Sequence, residues 1–495
     1  MGRTEKSNGY SHIIKYMGVF GGVQTIGILI GLLRNKLIAL ILGPNGLGLL
    51  SLFNSAIKLV ADATNLGISA SAVKSISENF ESGNEKNIIR SVAIVRFWSL
   101  LTALLGTVVC IILSPLLNKW TFTWGDHTLH FVFLSPAVGL MAVTGGELAI
   151  LKATRQLRSL AIASVYNFAA ALFFSVPVVC FFGEKGIVPS IVILSLCQML
   201  MTIIFSFKRY PLKLSFDISI FKGGVGLVKL GVAFVAAMVM GSLSEFIIRS
   251  YLNNNGSLGT VGLYNAGYVM TMVYGGMVFS AMETDYFPRL SAITLNGDRF
   301  NDTINKQIEV SLLLISPMLA AFLIFLPIII PILYSSEFLP VIGMMQALVP
   351  ALYMRAIKLP LSYVPLARGD SFLFMILEGV YAVFIVTSVI WFYDKWGLSG
   401  TGFAILLTAV VDFLMLSMVM HHKYGFVFSR STMKCSIIHL SVGVMAFAVT
   451  FINYSEPVYW IVGIFVIILS LVISLIVLHS KTSLWNSLKS KFCKR

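Results

Sequence analysis

Long, continuous apolar runs dominate the chain and predict helices that cross a membrane. Each run is about 20 residues long, which is the length that a helix needs to span a bilayer. Strands of a membrane β-barrel would alternate apolar and polar residues, and these runs do not alternate. The pattern therefore predicts an all-α polytopic membrane protein with about fourteen transmembrane helices. The predicted spans are 13–33, 44–68, 91–113, 129–150, 159–181, 187–207, 226–249, 260–283, 308–333, 340–363, 371–391, 399–420, 435–453 and 457–479.

The composition agrees with a membrane protein and argues against several other classes. The 495 residues are 57% hydrophobic and only 12% charged, whereas soluble proteins carry about 25% charged residues. The surplus of apolar side chains must face lipid, where only a structure that satisfies its own backbone is stable. The sequence has no Walker A motif, and its cysteines lack the spacing of a disulfide framework or a metal site. We predict no metal, no organic cofactor and no enzymatic activity.

The distribution of basic residues predicts the orientation in the membrane. With the N-terminus in the cytoplasm, most of the 36 Lys and Arg residues fall on cytoplasmic segments, as the positive-inside rule requires. This bias requires an even number of spans and places both termini in the cytoplasm. The net charge of +15 then reflects loops beside anionic lipid headgroups, and it does not indicate a nucleic-acid partner. The basic residues predicted outside are Arg34, Lys36, Lys119, Lys185 and Lys395.

The chain also contains one internal repeat. Six pairs of matching residues lie between 210 and 216 positions apart: Arg34/Arg249, Gly48/Gly262, Pro115/Pro331, Pro136/Pro350, Arg155/Arg368 and Lys185/Lys395. The repeat predicts an N-terminal lobe at 1–215, a C-terminal lobe at 216–425, and two extra helices with a basic cytoplasmic tail at 426–495. Both lobes hold six spans and start in the cytoplasm. They are therefore parallel repeats, an arrangement in which transporters place their substrate site between the halves.

Basic residues inside the predicted spans, together with Arg34 at the end of the first span, are the candidates for substrate binding. A charge at mid-bilayer costs about 2.5–3.5 kcal/mol, so such residues usually face a bundle interior or a water-filled cavity. Arg34 and Arg249 occupy equivalent positions of the repeat, so a two-fold axis would direct both toward a central cavity. Arginine binds phosphate through two hydrogen bonds and keeps its charge, which suits a diphosphate. Interfacial anchoring of both arginines is the alternative. Lys58 and Arg355 complete the predicted set, and Lys358 either joins Arg355 or snorkels to the interface.

Carboxylates inside the spans are the candidates for proton or sodium coupling, or for gating. A partly buried carboxyl group can titrate near neutral pH. Two of these acids follow or precede a base by four residues on one helix face, in the pairs Lys58/Asp62 and Glu245/Arg249. Mutual neutralisation is the alternative for these pairs, and a polar contact between helices is the alternative for Glu147, Glu378 and Asp412. Glu283 lies at the cytoplasmic end of its span and is a candidate for gating or capping. The full acidic set is Asp62, Glu147, Glu245, Glu283, Glu378 and Asp412.

Four segments resemble a known family. They are "RNKLIALILGPNGLGLLSLFNSAIKLVADATNLGISASAVKSIS", "METDYFPRLSA", "LYSSEFLPV" and "ARGDSFLF", and they are similar to the O-antigen translocases, or polysaccharide flippases. These belong to the multidrug/oligosaccharidyl-lipid/polysaccharide (MOP) exporter superfamily. The resemblance implies two six-helix lobes around a V-shaped cavity, in the bacterial inner membrane. It also implies transport of an undecaprenyl-diphosphate-linked oligosaccharide, such as an O-antigen repeat unit of lipopolysaccharide, to the outer leaflet.

The resemblance carries further expectations about binding and partners. Cationic cavity residues should hold the anionic headgroup, a role that we assign to Arg34, Lys58, Arg249 and Arg355 as a hypothesis. A polysaccharide polymerase and a chain-length regulator are the expected protein partners. The extra helices resemble those of lipid II flippases, so a lipid II type of substrate remains an alternative.

Three further functions remain as alternatives. A cation-coupled drug antiporter of the same superfamily would need an acidic cavity, and the basic residues in the first span of each half argue against it. A membrane-embedded polymerase or ligase would need a long outer loop with catalytic residues, and the predicted outer loops are short. A passive scaffold would leave the charges within the spans unexplained.

Overall fold

The apolar runs fold into long α-helices, which we analysed in a computed structural model. It describes residues 2–81, 83–212, 218–291, 293 and 298–481; within helices some side chains are left undescribed, among them those of 2–25 and 281–285. The described residues contain no strand, which confirms the predicted all-α class. The helices are α1 (Gly2–Thr64), α2 (Ile68–Glu81), α3 (Glu85–Thr121), α4 (Thr128–Ala153), α5 (Leu157–Ala170), α6 (Val176–Phe182), α7 (Ile187–Arg209), α8 (Ile218–Asn255), α9 (Leu258–Tyr268), α10 (Tyr274–Ser291), α11 (Asp298–Leu333), α12 (Val341–Ala367), α13 (Ser371–Tyr424), α14 (Arg430–Val449) and α15 (Pro457–Lys481).

Nine stretches of described helix are long and apolar enough to cross a membrane. Three of them have 39, 52 and 54 residues, so they measure about 60–80 Å at 1.5 Å per residue. That is at least twice the thickness of a hydrocarbon core, about 30 Å. Each is interrupted by one glycine with a positive φ, namely Gly43, Gly183 and Gly397, so each contains two spans.

Two more helical stretches bring the crossings to the predicted fourteen. The first is α9 and α10, which five residues of π-helix join into one rod (Val269–Val273). The second is α12, which carries Arg355 and Lys358 within the membrane-length helix. These two charged positions make α12 less apolar than the nine stretches.

The helices form two compact units, which are described separately. The first comprises Met1–Ala266, Leu333–Glu337 and Ser371–Val386, and the second comprises Gly267–Ile332, Phe338–Asp370 and Thr387–Arg495. In the first unit, α8 packs against α1, α2 and α3, although it belongs to the second half of the repeat. The observed units therefore differ from the lobes predicted at 1–215 and 216–425, which rest on the repeat and remain a prediction.

Two repeat-related glycines of the first unit pack directly against each other. A Cβ added to Gly48 would lie 2.0 Å from the carbonyl oxygen of Leu258, and one added to Gly262 would lie 1.9 Å from that of Pro44. The two contacts are equivalent under the internal repeat, because Pro44 and Leu258 are separated by the same 214 residues as Gly48 and Gly262. Such reciprocity is what a local two-fold axis produces. We call this contact the glycine crossing.

The two C-terminal helices of the second unit are joined to α11 by hydrogen bonds. Ser316 and Ser470 share one at 3.1 Å, and the Tyr459 hydroxyl donates to the carbonyl oxygen of Ile324 at 2.8 Å. These two contacts involve α15. Near the start of α14, the Thr432 hydroxyl donates to the buried carboxylate of Glu309 at 3.0 Å. Hydrogen bonds of this kind replace the water that the bilayer core cannot supply.

Candidate substrate site

Four of the charged residues predicted within the spans form one cluster between α1 and α8. Lys58 Nζ lies 3.2 Å from Glu245 Oε1, and Arg249 Nη1 lies 3.4 Å from Glu245 Oε2. Asp62 lies within electrostatic range of both Lys58 and Glu245, and it interacts with the hydroxyl of Ser242. The two predicted intrahelical pairs are thus connected across helices, because Glu245 of one pair contacts Lys58 of the other. We call Lys58, Asp62, Glu245 and Arg249 the charge cluster.

The charge cluster lies at membrane depth. Lys58 follows the turn at Gly43 by 15 residues, and Glu245 precedes the end of α8 at Asn255 by 10 residues. At 1.5 Å per residue, these positions are about 22 Å and 15 Å from the helix ends. A hydrocarbon core about 30 Å thick would contain both of them.

The members of the charge cluster differ in how accessible they are. The side chain of Lys58 is 45% exposed and that of Glu245 is 31% exposed, whereas Arg249 is buried. Arg249 Nε donates to Ser51 Oγ at 2.8 Å, and its guanidinium lies 6.0 Å from the ring of Tyr264. Lys58 is therefore the cation of this cluster that an anion can reach, and Arg249 positions Glu245.

Arg34, the repeat partner of Arg249, lies at a different helix interface. Its Nε donates to Ser175 Oγ at 2.9 Å, on the π-helical segment Ala171–Ser175 between α5 and α6. The helix continues for nine residues beyond Arg34 to Gly43, a distance of about 14 Å. This depth argues against the interfacial-anchor alternative. Arg34 as a whole is half-buried, so the residue retains partial access to a polar ligand.

Arg355 and Lys358 belong to the second unit and contact different helices. Arg355 Nη1 donates to the carbonyl oxygen of Met272 at 3.4 Å, and its guanidinium lies 5.7 Å from the ring of Phe279. Met272 lies in the second π-helical segment, a feature that is frequent at functional sites. Lys358 forms an ion pair with the buried Asp412, which favours the interhelical-contact alternative for that carboxylate.

Glu147 has a basic partner that the sequence analysis did not identify. Arg96 Nε donates to Glu147 Oε1 at 2.8 Å, and Nη2 donates to Oε2 at 3.3 Å, with both side chains buried. The same guanidinium donates to the carbonyl oxygens of Tyr210 and Pro211 beyond the end of α7. Arg96 lies inside the predicted span 91–113, and that position was the signal that could have identified it.

The remaining predicted acids are not brought into the charge cluster by any described contact. Glu378 lies half-buried on α13. Glu283 lies on α10, and its side chain is outside the described residues. Among the residues that the structure describes, no group of three His, Cys, Asp or Glu side chains could hold a metal ion.

Comparison with known proteins agrees with a transporter fold. A family model described as "Polysaccharide biosynthesis protein" matches residues 37–343, which is more than half of the chain. The chain belongs to this family. The search of curated proteins found no match. Membership in the family of polysaccharide biosynthesis proteins confirms the resemblance stated above.

Solved structures show what fold this chain has. The lipid II flippase MurJ in an inward closed conformation matches with a TM-score of 0.72 and 15% identity, over 93% of this chain and 98% of that chain. An inward-facing multidrug resistance MATE family transporter matches with a TM-score of 0.62 and 16% identity, over 81% and 97%. A MOP superfamily transporter from Pyrococcus furiosus, with a binding pocket of reverse polarity, matches at 0.60 and 13% identity, over 89% and 97%. The chain has the multi-pass helical fold of these MOP superfamily transporters.

Proposed function

We propose that this protein is a flippase for an oligosaccharide linked to undecaprenyl diphosphate. It carries a repeat unit of O-antigen or a related polysaccharide from the inner to the outer leaflet of the bacterial inner membrane, by alternating access. Both termini are cytoplasmic in this proposal. The observation that supports it is the half-exposed side chain of Lys58 at membrane depth. The chain that carries this lysine belongs to a family of polysaccharide biosynthesis proteins.

The charges of the site fit an anionic headgroup held by few contacts. Lys58 offers its ammonium to one phosphate, and Arg34 of the same unit is the proposed additional contact because this residue is only partly buried. Arg355 of the second unit is a separate proposed phosphate contact, since it too is only partly buried. Arg249 is proposed to support binding indirectly, since Ser51 and Glu245 occupy its donors. The prenyl chain stays in lipid while the head crosses.

The energy source and the protein partners are part of the same proposal. Asp62 and Glu245 are the proposed coupling groups for H⁺ or Na⁺, because both carboxylates interact with the substrate-binding lysine. A polymerase and a chain-length regulator would act on the product in the outer leaflet.

A lipid II type of substrate is the second candidate. The fold of MurJ covers 93% of this chain and that of the MATE transporter covers 81%. A polyprenyl diphosphate is common to both candidates, and they differ in the group attached to it. The role proposed for Lys58 is therefore the same for both.

Lys58→Ala is expected to lower the transport rate about 10- to 100-fold. A hydrogen bond to a charged group contributes about 1.5–3 kcal/mol, and about 1.4 kcal/mol corresponds to a factor of ten. The measurement is the appearance of undecaprenyl-diphosphate-linked oligosaccharide in the opposite leaflet of proteoliposomes, with Lys58→Arg expected to retain most of the rate.

Lys306→Ala is the matched control for the loss of a lysine. Lys306 pairs with Asp302 at 2.6 Å on an exposed surface of α11, and pairs of this kind contribute about 0–1 kcal/mol. Wild-type transport by Lys58→Ala, at equal amounts of reconstituted protein, would remove Lys58 from the substrate site.

A further inference from the structure

Glu245 connects two cations with its two carboxylate oxygens. Oε1 faces Lys58 Nζ at 3.2 Å, and Oε2 faces Arg249 Nη1 at 3.4 Å. The backbone oxygen of Glu245 also accepts from Arg249 Nη1 at 3.2 Å. A carboxylate between two cations occupies the kind of position that a phosphate group would take.

The two halves of this bridge differ in how easily they can be broken. Arg249 is buried and lies one helical turn after Glu245 on the same helix, so this half persists whenever α8 is intact. Lys58 lies on another helix, and its side chain is half-exposed. An entering anion can therefore reach the ammonium of Lys58 without disturbing Arg249.

We propose that Glu245 is an internal counterion that Lys58 exchanges for the phosphate of the substrate. In the empty protein Glu245 neutralises Lys58, and on binding the headgroup displaces the carboxylate, which stays with Arg249. On release Glu245 returns to Lys58 and competes with the departing phosphate. This inference rests on the proposed function. It states how Glu245 and Arg249 would act there, as positioning residues for Lys58.

The exchange sets the affinity of the site at an intermediate value. Without a competing carboxylate, the Lys58 ammonium would bind a phosphate more tightly and release it more slowly. Glu245→Gln removes the negative charge but keeps the shape of the side chain, and its amide oxygen can still accept from Arg249. The variant should therefore bind the headgroup more tightly and transport it more slowly, a combination that simple structural damage does not produce.

Binding of a polyprenyl diphosphate to the full-length protein in nanodiscs tests the proposal. The probes are undecaprenyl diphosphate and undecaprenyl monophosphate, without a sugar. Glu245→Gln is expected to bind the diphosphate up to about fivefold more tightly than the wild type, and the double variant Lys58→Ala/Glu245→Gln should lose that gain. Asp302→Asn, which removes the partner of Lys306, is the matched control and should bind as the wild type does.

A second variant keeps the test informative if Glu245→Gln fails to fold. Glu245→Asp retains the charge but is one methylene shorter, so it reaches Lys58 less well while remaining near Arg249, and a smaller gain in affinity is expected. The proposal is overturned if folded variants at position 245 bind no more tightly, or if the gain survives the loss of Lys58. The proposed function itself fails separately, if the wild-type protein binds neither probe or if Lys58→Ala binds as the wild type does.

Discussion

Gly262→Ala is expected to abolish most transport and to lower the stability of the folded protein. The added Cβ would lie 1.9 Å from the carbonyl oxygen of Pro44, so α1 and α9 must separate at the glycine crossing. Overpacking of this kind costs about 1–3 kcal/mol when the neighbours can adjust; here the neighbour is backbone, which adjusts less. Thermal unfolding in detergent and transport in proteoliposomes are the two measurements.

The reciprocal geometry supplies internal controls for this prediction. Gly48→Ala meets the equivalent clash with Leu258 and should behave as Gly262→Ala does. The double variant should cost less than the sum of the two, because both changes separate the same pair of segments. Gly241→Ala on α8, where an added Cβ meets nothing within 4 Å, should leave both measurements unchanged. Equal behaviour of Gly241→Ala and Gly262→Ala would show that the crossing tolerates separation.

Arg96→Ala is expected to destabilise the protein by about 3–5 kcal/mol, the usual cost of leaving one member of a buried ion pair alone. The change strands the buried carboxylate of Glu147 and also removes the donor to the carbonyl oxygens that follow α7. The midpoint of thermal unfolding and the yield of folded protein measure the loss.

The partner substitution separates a structural role of Glu147 from the predicted coupling role. Glu147→Ala should cost a similar amount, and Arg96→Met combined with Glu147→Leu should recover most of the stability, because no buried charge is left alone. If the double variant is stable and transports normally, Glu147 is structural. If it is stable but no longer responds to a proton or sodium gradient, the coupling role is supported and a purely structural reading is contradicted.

The fourteen crossings could be predicted from the sequence because membrane thickness fixes the length of an apolar run. The continuity of the helices across Gly43, Gly183 and Gly397 could not, since one glycine with a positive φ turns the chain without a polar loop. The internal repeat was visible in the constant spacing of its six matching residue pairs. The direct contact between Gly48 and Gly262 could be seen only in the structure, because equal spacing does not reveal that equivalent residues touch.

The charge cluster shows a similar division. Lys58 with Asp62 and Glu245 with Arg249 could be paired from the sequence, because residues four apart share a helix face. The contact from Lys58 to Glu245 depends on which faces of α1 and α8 meet, and two apolar helices with scattered charges do not specify that. Arg96 was missed for a similar reason, because its position inside the predicted span is visible in the sequence but its buried contact with Glu147 is not.

The C-terminal pair of helices has a consequence for the modularity of the chain. A shortened protein that ended before α14 would leave the Glu309 carboxylate without the Thr432 hydroxyl, and would leave Ser316 without Ser470. These groups lie on α11, so shortening the chain would turn a packed helix face toward hydrocarbon tails that offer no hydrogen bonds. The last two helices therefore cannot be treated as a detachable extension, since their absence would alter the surface that the neighbouring helix presents to the bilayer.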